Sequence, residues 1–352
     1  MRTALVSFAA AKTSNGVVPT AESWPTAELI LEAAANAAGD PQPILQILAE
    51  DAYPPPTPGN GHTRELWELL ASVSVRDLSA ARALEPHLDA AAILYEASIP
   101  WTANGSWAVY AAEGQGMRLE AEHVGNTWIL NGTKPWCSLS TAVDRALVSA
   151  HTEHGRALFA VHMRDPGIIG VPQPWVSHGL HRIPSGPVQF QQIRAEAVEE
   201  PGWYLQRPGF AIGGVGVAAC WFGAAVGIFR DLLHRAESRE PDQLALAWLG
   251  EADRLLAAGA STLKDAATLA DLGELGAVQA YRARGTIAQI CERIIQLHAH
   301  ATGPAPLAFD EPHARRVADL SVYLRQHHAA RDDAVLGKML LDQRQKGDVE
   351  SW

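Results

Sequence analysis

The spacing of apolar residues changes character twice along this chain, and those changes limit the fold more than composition does. From residue 21 to 105 apolar residues recur at helical spacing. "TAELILEAAANAAG" opens on a Thr suited to cap a helix and closes on Gly39, and "TRELWELLASV" has one apolar face. Between them "YPPPTPGNGH" holds too much Pro and Gly for helix or strand. "SVRDLSAARALEPHLDAAAILYEA" is helical again, with a kink or break expected at Pro86. From 106 to about 200 the rhythm shortens to runs such as "MRLEAEHV", "TWILNG", "RALVSAHT", "ALFAVHM" and "PVQFQQI", set apart by Gly, Asn, Pro and Asp. That texture predicts an antiparallel sheet or barrel. Four long helical stretches follow, 209–238, 242–271, 275–300 and 312–343, with breaks at Pro241, Gly273, "TGPAP" and Gly347. Short connections between long helices predict a bundle. The fold class is α+β: an N-terminal helical domain over 1–105, a middle antiparallel β domain over 106–205 and a C-terminal four-helix bundle over 206–352.

One stretch tests that reading. "PGFAIGGVGVAACWFGAAVGIF", residues 208–229, carries no charge and is long enough to cross a bilayer, with Gly223 and Gly227 at the small-residue spacing of packed membrane helices. It is rich in Gly and Ala rather than Leu and Ile, and it runs directly into the charged "RDLLHRAESRE". A buried helix at the centre of a bundle fits better, so no membrane partner is expected. A net charge of −11 without any Lys or Arg block argues against nucleic acid. Cys137, Cys220 and Cys291 lie far apart with no zinc spacing, which suggests a reducing, cytoplasmic setting. The opening "MRTALVSFAAAK" has too short an apolar stretch for a signal peptide. No metal is expected: His298 and His300 in "HAHATG" suit a strand better than the helix expected there, and no carboxylate motif joins them. A nucleophile elbow is lacking as well.

"NTWILNGTKPWCSLS", residues 126–140, raises the question of chemistry. Asn131-Gly132 between apolar runs reads as a hairpin turn, with strands before and after it. Beyond it a bulky Trp136 stands beside Cys137 and Ser138.

"WILNGTKPWCS" resembles the middle-domain segment of the acyl-CoA dehydrogenase family, a strand ending Asn-Gly-x-Lys that leads to Trp-x-Thr or Trp-x-Ser. "HGLHRIPSGPVQF" is similar to a second strand of that family, "RIIQLHAHATG" to its Val-Gln-x-x-Gly-Gly-x-Gly segment, and "HARRVADLSVY" to the Arg-Asp-Ala before its active-site loop. "DQLALAWLGEADRLLAAGASTLKDAA" falls on a bundle helix of the family without a gap. The resemblance spans residues 60 to 341, in order. It implies FAD as cofactor, with Trp136 against the flavin ring, Ser138 offering its hydroxyl and Cys137 and Ser138 their backbone groups to the ring's N5–O4 edge, and Gln296 and Gly303 in the cofactor site. It also implies Ser185 and His87 as substrate contacts. On the residues alone, His87 in "EPHLDA" reads as helix surface.

Three departures follow from the same comparison. The family's Arg-x-x-Phe-Gly has no match in "HRAESREPDQ", where Arg235 or Arg239 would have to substitute. Its Gly-Gly-x-Gly is replaced by "HAHATG". Its catalytic Glu is absent, and "VYLRQHHAARDD" puts Gln326 or His327 there. His327 becomes the candidate general base, with His328 about 100° away if the pair is helical; Glu113 in "YAAEG" is a possible relocated base. The alternative is that both histidines lie on a solvated helix face beside Arg331 and Asp332. The implied activity is FAD-dependent oxidation of an acyl thioester at Cα–Cβ. The alternatives are a monooxygenase using reduced FMN or FAD from a separate reductase with O2, and a non-catalytic subunit. The implied partners are a small-molecule substrate, a CoA or carrier thioester among them, and further copies of the chain as a homodimer or homotetramer.

Overall fold

The structure, a computed structural model, describes residues 4–8, 24–238 and 240–347. Arg239 lies outside them, as does much of the segment on which the reading of a leader turns. The chain gathers into two compact units, one built mainly from 24–58 and 77–210, the other from 59–76 and the residues after 211.

The first unit, here the sheet unit, contains helices α1 (Thr26–Asn36), α2 (Gln42–Glu50) and α4 (Leu78–Glu96). Pro25 rather than Thr26 holds the N-cap position of α1, and no side chain caps it. Asp77 caps α4 by accepting from the Ala80 amide at 2.9 Å. Pro86 does not break α4, which runs unbroken through it. A proline inside a helix costs about 3 kcal/mol, and burying Leu84, Leu88, Ile93 and Leu94 at about 1.5–3 kcal/mol each outweighs that.

The strands are β1 (Trp107–Tyr110), β2 (Leu119–Val124), β3 (Thr127–Lys134), β4 (Arg145–Thr152), β5 (Gly155–His162), β6 (Ile168–Gly170) and β7 (Val188–Ala197). The pairings β4–β2–β3–β7–β5–β4 close on themselves into a barrel, with β1 on the same edge of β4 as β2 and with β6 on β7. The sheet is mixed rather than antiparallel, because β1 and β2 both run parallel to β4. Alternation of apolar residues fixes which face is buried, not which way a neighbour runs.

Asn131-Gly132 is not the hairpin turn. β3 runs through it, and the turn from β2 to β3 is Gly125-Asn126, with Gly125 at φ +62° as a II′ turn requires at its first position. Gly132 sits instead at a register shift between β3 and β7. Its φ is +121°, and a Cβ there would stand 2.2 Å from the Arg118 carbonyl oxygen. Bulge and turn both demand a positive φ, so the sequence signal is the same. The expected second strand is absent: beyond Lys134 the chain is a loop to Val143.

The second, helical unit comprises α3 (Thr63–Ser74), α6 (Pro208–Glu237, entering from the short α5, Trp203–Gln206), α7 (Gln243–Asp271), α8 (Ala277–Thr302), α9 (Ala305–Phe309), α10 (Glu311–Tyr323) and α11 (Ala330–Gln345). Among the described residues α6 is the one helix long and apolar enough to cross a bilayer, and 72% of its apolar window is buried against protein. It behaves as a core helix. Gly223 lets α3 come close, since a Cβ there would meet the Ala71 carbonyl oxygen at 2.2 Å. His62 offers α3 no side-chain cap, and Asp271 at the end of α7 supplies one by accepting from the amides of Gly61 at 3.0 Å and Thr63 at 3.3 Å. The stretch read as a helix over 312–343 is broken: a 3₁₀ turn at Leu324–Gln326 ends α10, and His327 is extended with φ −88° and ψ 122°.

Candidate functional site

Two loops of the sheet unit are laced together where β3 ends and β7 begins. The Cys137 amide donates to the Gly186 carbonyl at 3.0 Å, and the Leu139 amide to that of Pro184 at 2.9 Å. Trp136 sits at φ +59° with its side chain 59% exposed. A bulky residue in that backbone region is strained by about 1–2 kcal/mol, and strain of this kind collects at functional positions.

Two residues beyond Trp136 a line of hydroxyls begins. Arg82 Nη2 donates to Ser138 Oγ at 3.2 Å, Ser138 Oγ and Ser185 Oγ are 2.7 Å apart, and Ser185 Oγ donates to the Ile183 carbonyl at 3.0 Å. With Arg82 donating at one end and Ile183 accepting at the other, the Ser138 proton points to Ser185. Rotation about its Cβ–Oγ bond would turn it toward a ligand. Tyr110 fixes the loop from below, its hydroxyl donating to the Ser138 carbonyl at 2.9 Å. The fold brings Ser138 and Ser185 into contact, residues that the sequence reading assigned separately to flavin and to substrate. That reading missed Arg82 and Tyr110, which reach the site from α4 and β1 with no local spacing to mark them. The Cys137 thiol is not exposed chemistry: it is fully buried, and burial pushes it up to about 12 despite the nearby Lys134. The Cys137 and Ser138 amides are used within the loop, the latter on the Trp136 carbonyl at 3.2 Å.

Glu113 is spent on ion pairs. Its carboxylate meets buried Lys134 at 2.8 Å, His151 at 2.9 Å and Arg156 at 3.3 Å. Partial burial would raise its pKa, but these partners lower it overall, the wrong direction for a general base. His87 is not on a helix surface. It is 1% exposed, accepts from the Trp107 amide at Nδ1 (3.2 Å) and packs edge-on to Trp101. Burial depresses its pKa to about 3, so the ring is neutral at ordinary pH.

In the helical unit His327 and His328 part company for a reason other than helical phase. They occupy the extended break before α11, and their side chains are 10% and 62% exposed. His328 is tied to Asp332 through its amide at 3.0 Å and its ring at 3.3 Å. His327 turns inward against α8 near Gly285. Burial lowers its pKa, only partly countered by Asp332. Its Nδ1 accepts from the Ala329 amide at 3.3 Å, so the neutral tautomer carries its proton on Nε2, 3.8 Å from Asp332. Gln296 is exposed, its amide oxygen accepting from Arg293 at 3.3 Å. Gly303 ends α8 with φ +67°. Arg235 gives one end of its guanidinium to Asp231 at 3.3 Å and the other to Asp310.

A scan of protein-family models finds no match, and neither does a search of curated proteins. Solved structures do match. KijD3, in complex with FMN and a dTDP-3-amino-4-keto sugar, superposes with a TM-score of 0.75 at 17% identity over 99% of this chain and 97% of that one. Butyryl-CoA dehydrogenase from Megasphaera elsdenii gives 0.74 at 18% over 90% and 98%. The fold is that of the acyl-CoA dehydrogenases. FMN-bound TdsC from Paenibacillus sp. A11-2 shares it, with 0.75 at 16% over 91% and 97%.

Within this fold, the residues implied for the flavin ring suit that group, whereas the arginine that would have to substitute at its pyrophosphate is already paired. An exposed indole held at a strained angle, with a rotatable hydroxyl two residues on and a guanidinium bonded to that hydroxyl, suits a flat ring whose edge gains negative charge. Arg235 is paired with Asp231 and Asp310, and Gln296 is exposed with its amide oxygen accepting from Arg293.

Proposed function

We propose that this chain is a flavin-dependent oxidoreductase acting on a small molecule, with flavin bound at Trp136, Ser138 and Ser185 of the sheet unit and FMN preferred to FAD. Trp136 carries the reading. A largely exposed indole costs water contact with apolar surface and here also backbone strain, and a planar ligand recovers the first. A bound flavin supplies hydride and single-electron transfer and, when reduced, reactivity toward O2. The Trp136 indole would lie against the bound flavin and shield it from water, and the Ser138 hydroxyl, polarised by Arg82, would turn from Ser185 to donate to it. The pairing of Arg235 with Asp231 and Asp310 supports FMN, because a dinucleotide's pyrophosphate would have to compete with those carboxylates.

His327 decides between reaction classes. A Cα–Cβ dehydrogenation needs a lone pair to remove the α-proton. The Ala329 amide occupies the His327 Nδ1 lone pair, and Nε2 presents a proton, an arrangement suited to donating a hydrogen bond to an oxygen atom. This favours oxygen-dependent oxidation of the substrate with reduced flavin delivered by a separate reductase. KijD3 and TdsC, both solved with FMN, lend support. The second reading is acyl-thioester oxidation, with His327 releasing Ala329 to serve as base.

The test is to supply reduced FMN with O2 under a panel of small aromatic and amine substrates, and in parallel oxidised flavin with acyl-CoA thioesters. Substrate-coupled oxygen consumption with no bleaching by thioesters is expected. Rapid bleaching by a thioester with no oxygen-dependent product would overturn the reading.

A further inference from the structure

Away from the flavin-related positions, three helices of the helical unit bring a carboxylate and two imidazoles to one point. Asp231 on α6 places its Oδ2 3.2 Å from His298 Nε2 on α8 and 2.9 Å from His313 Nδ1 on α10, and the donor atoms all lie within 4.8 Å of one another. Both histidines are 2% exposed, and their rings stack at 3.9 Å.

Thr302 Oγ1 contacts His298 at both its carbonyl (2.8 Å) and its Nδ1 (3.3 Å), which orients the ring with Nε2 toward the Asp231 carboxylate. His313 supplies the mismatch. Its Nδ1 is close to Asp231 but not aligned for a hydrogen bond, and it is left without another partner, at a cost of about 1–3 kcal/mol.

We propose that Asp231, His298 and His313 form a binding site for a first-row divalent transition ion. Two imidazole nitrogens and one carboxylate oxygen are the donor set of zinc and its neighbours, whereas calcium and magnesium prefer oxygen alone. Metal–ligand bonds of about 2.0–2.1 Å set the ligand atoms of a tetrahedral ion about 3.3 Å apart, close to the two separations found. Thr302 is the outer partner that orients His298. One imidazole turns about its Cβ–Cγ bond to let both lone pairs meet at the ion. Arg235, which reaches the same Asp231 oxygen at 3.3 Å, yields it and keeps Asp310. The ion ties α6, α8 and α10 together, and the fourth position falls to water.

Titration of the metal-free protein with Co2+ tests this without any variant. Visible d–d absorption that saturates at one equivalent, and that Zn2+ abolishes, is expected. Asp231→Asn and His313→Ala, checked for native circular dichroism, should each weaken Zn2+ by about 100-fold or more, while His300→Ala, exposed on the same helix, should leave it unchanged. An unaltered Co2+ spectrum would show that a shared proton alone holds the three residues and would overturn the proposal. Binding that persists equally in both variants would do the same.

Discussion

Trp136, in the sheet unit, leaves 59% of its side chain exposed on a strained backbone, while Arg235, in the helical unit, gives both ends of its guanidinium to carboxylates of its own chain. The resemblance asks the first to meet a flavin ring and the second to substitute for a pyrophosphate-binding arginine. Sequence similarity treats the two alike. The structure separates them by what each side chain has left to offer. A binding residue must keep unspent capacity, either exposed apolar surface or a hydrogen-bonding group able to turn, and Trp136 keeps more of it than Arg235.

The contrast can be pressed hardest at the histidine pair. His327→Ala should lower turnover about 10²- to 10⁴-fold, the range for a proton-handling group, while exposed His328→Ala should change it only a few-fold. Because burial lowers the His327 pKa and protonation at Nδ1 would break its bond from Ala329, activity should hold at neutral pH. It should fall only as pH drops below about 6.5, the ordinary histidine value. Equal losses in both variants would refute a proton-handling role for His327.

His87 is a fully buried residue of the sheet unit, and pH reveals it. Its folded pKa of about 3 lies below the unfolded value of about 6.5, so the unfolded chain binds the proton first. The stabilisation is present above about 6.5 and is lost as pH falls toward 3. At pH 4.5 the loss should reach about 2–3 kcal/mol, at about 1.4 kcal/mol per pKa unit. Urea melts of wild type and His87→Gln at pH 7 and 4.5 measure it, and parallel pH curves would refute it.

Trp136→Gly divides function from stability. The variant should bind FMN about tenfold more weakly, the worth of an aromatic contact of about 1.4 kcal/mol. Its melting temperature should hold or rise, because glycine tolerates the positive φ. Arg235→Gln should show the opposite pattern at smaller scale: FMN affinity within about twofold, and a stability loss of about 1 kcal/mol or less for partly exposed ion pairs.

Much of this was legible in the sequence. The change from helical to alternating spacing and back marks the helices and strands, because burial on one face imposes the period. Two motifs at strand ends marked Ser138 and Ser185, which the fold brings into contact. Other features had no local signal. Arg82 is an ordinary helical arginine until the fold brings it to Ser138. Asp231 and His313 lie far from His298 in sequence, and no spacing rule joins residues from three helices. Asn131-Gly132 misled because a bulge and a hairpin turn share one backbone requirement. The break at His327 was hidden because "QHHAARDD" is compatible with a helix, and it is the Asp332 contacts to His328 that hold the chain open there.

The most direct test of open sheet-unit residues against committed helical-unit ones is a fluorescence titration of the flavin-free protein with FMN and with FAD, under one buffer. FMN should bind at least as tightly as FAD, and Trp136→Gly should weaken both by the same factor. FAD affinity exceeding that of FMN by about 100-fold, or about 2.7 kcal/mol, would show that the adenosine half is recognised after all and would contradict it.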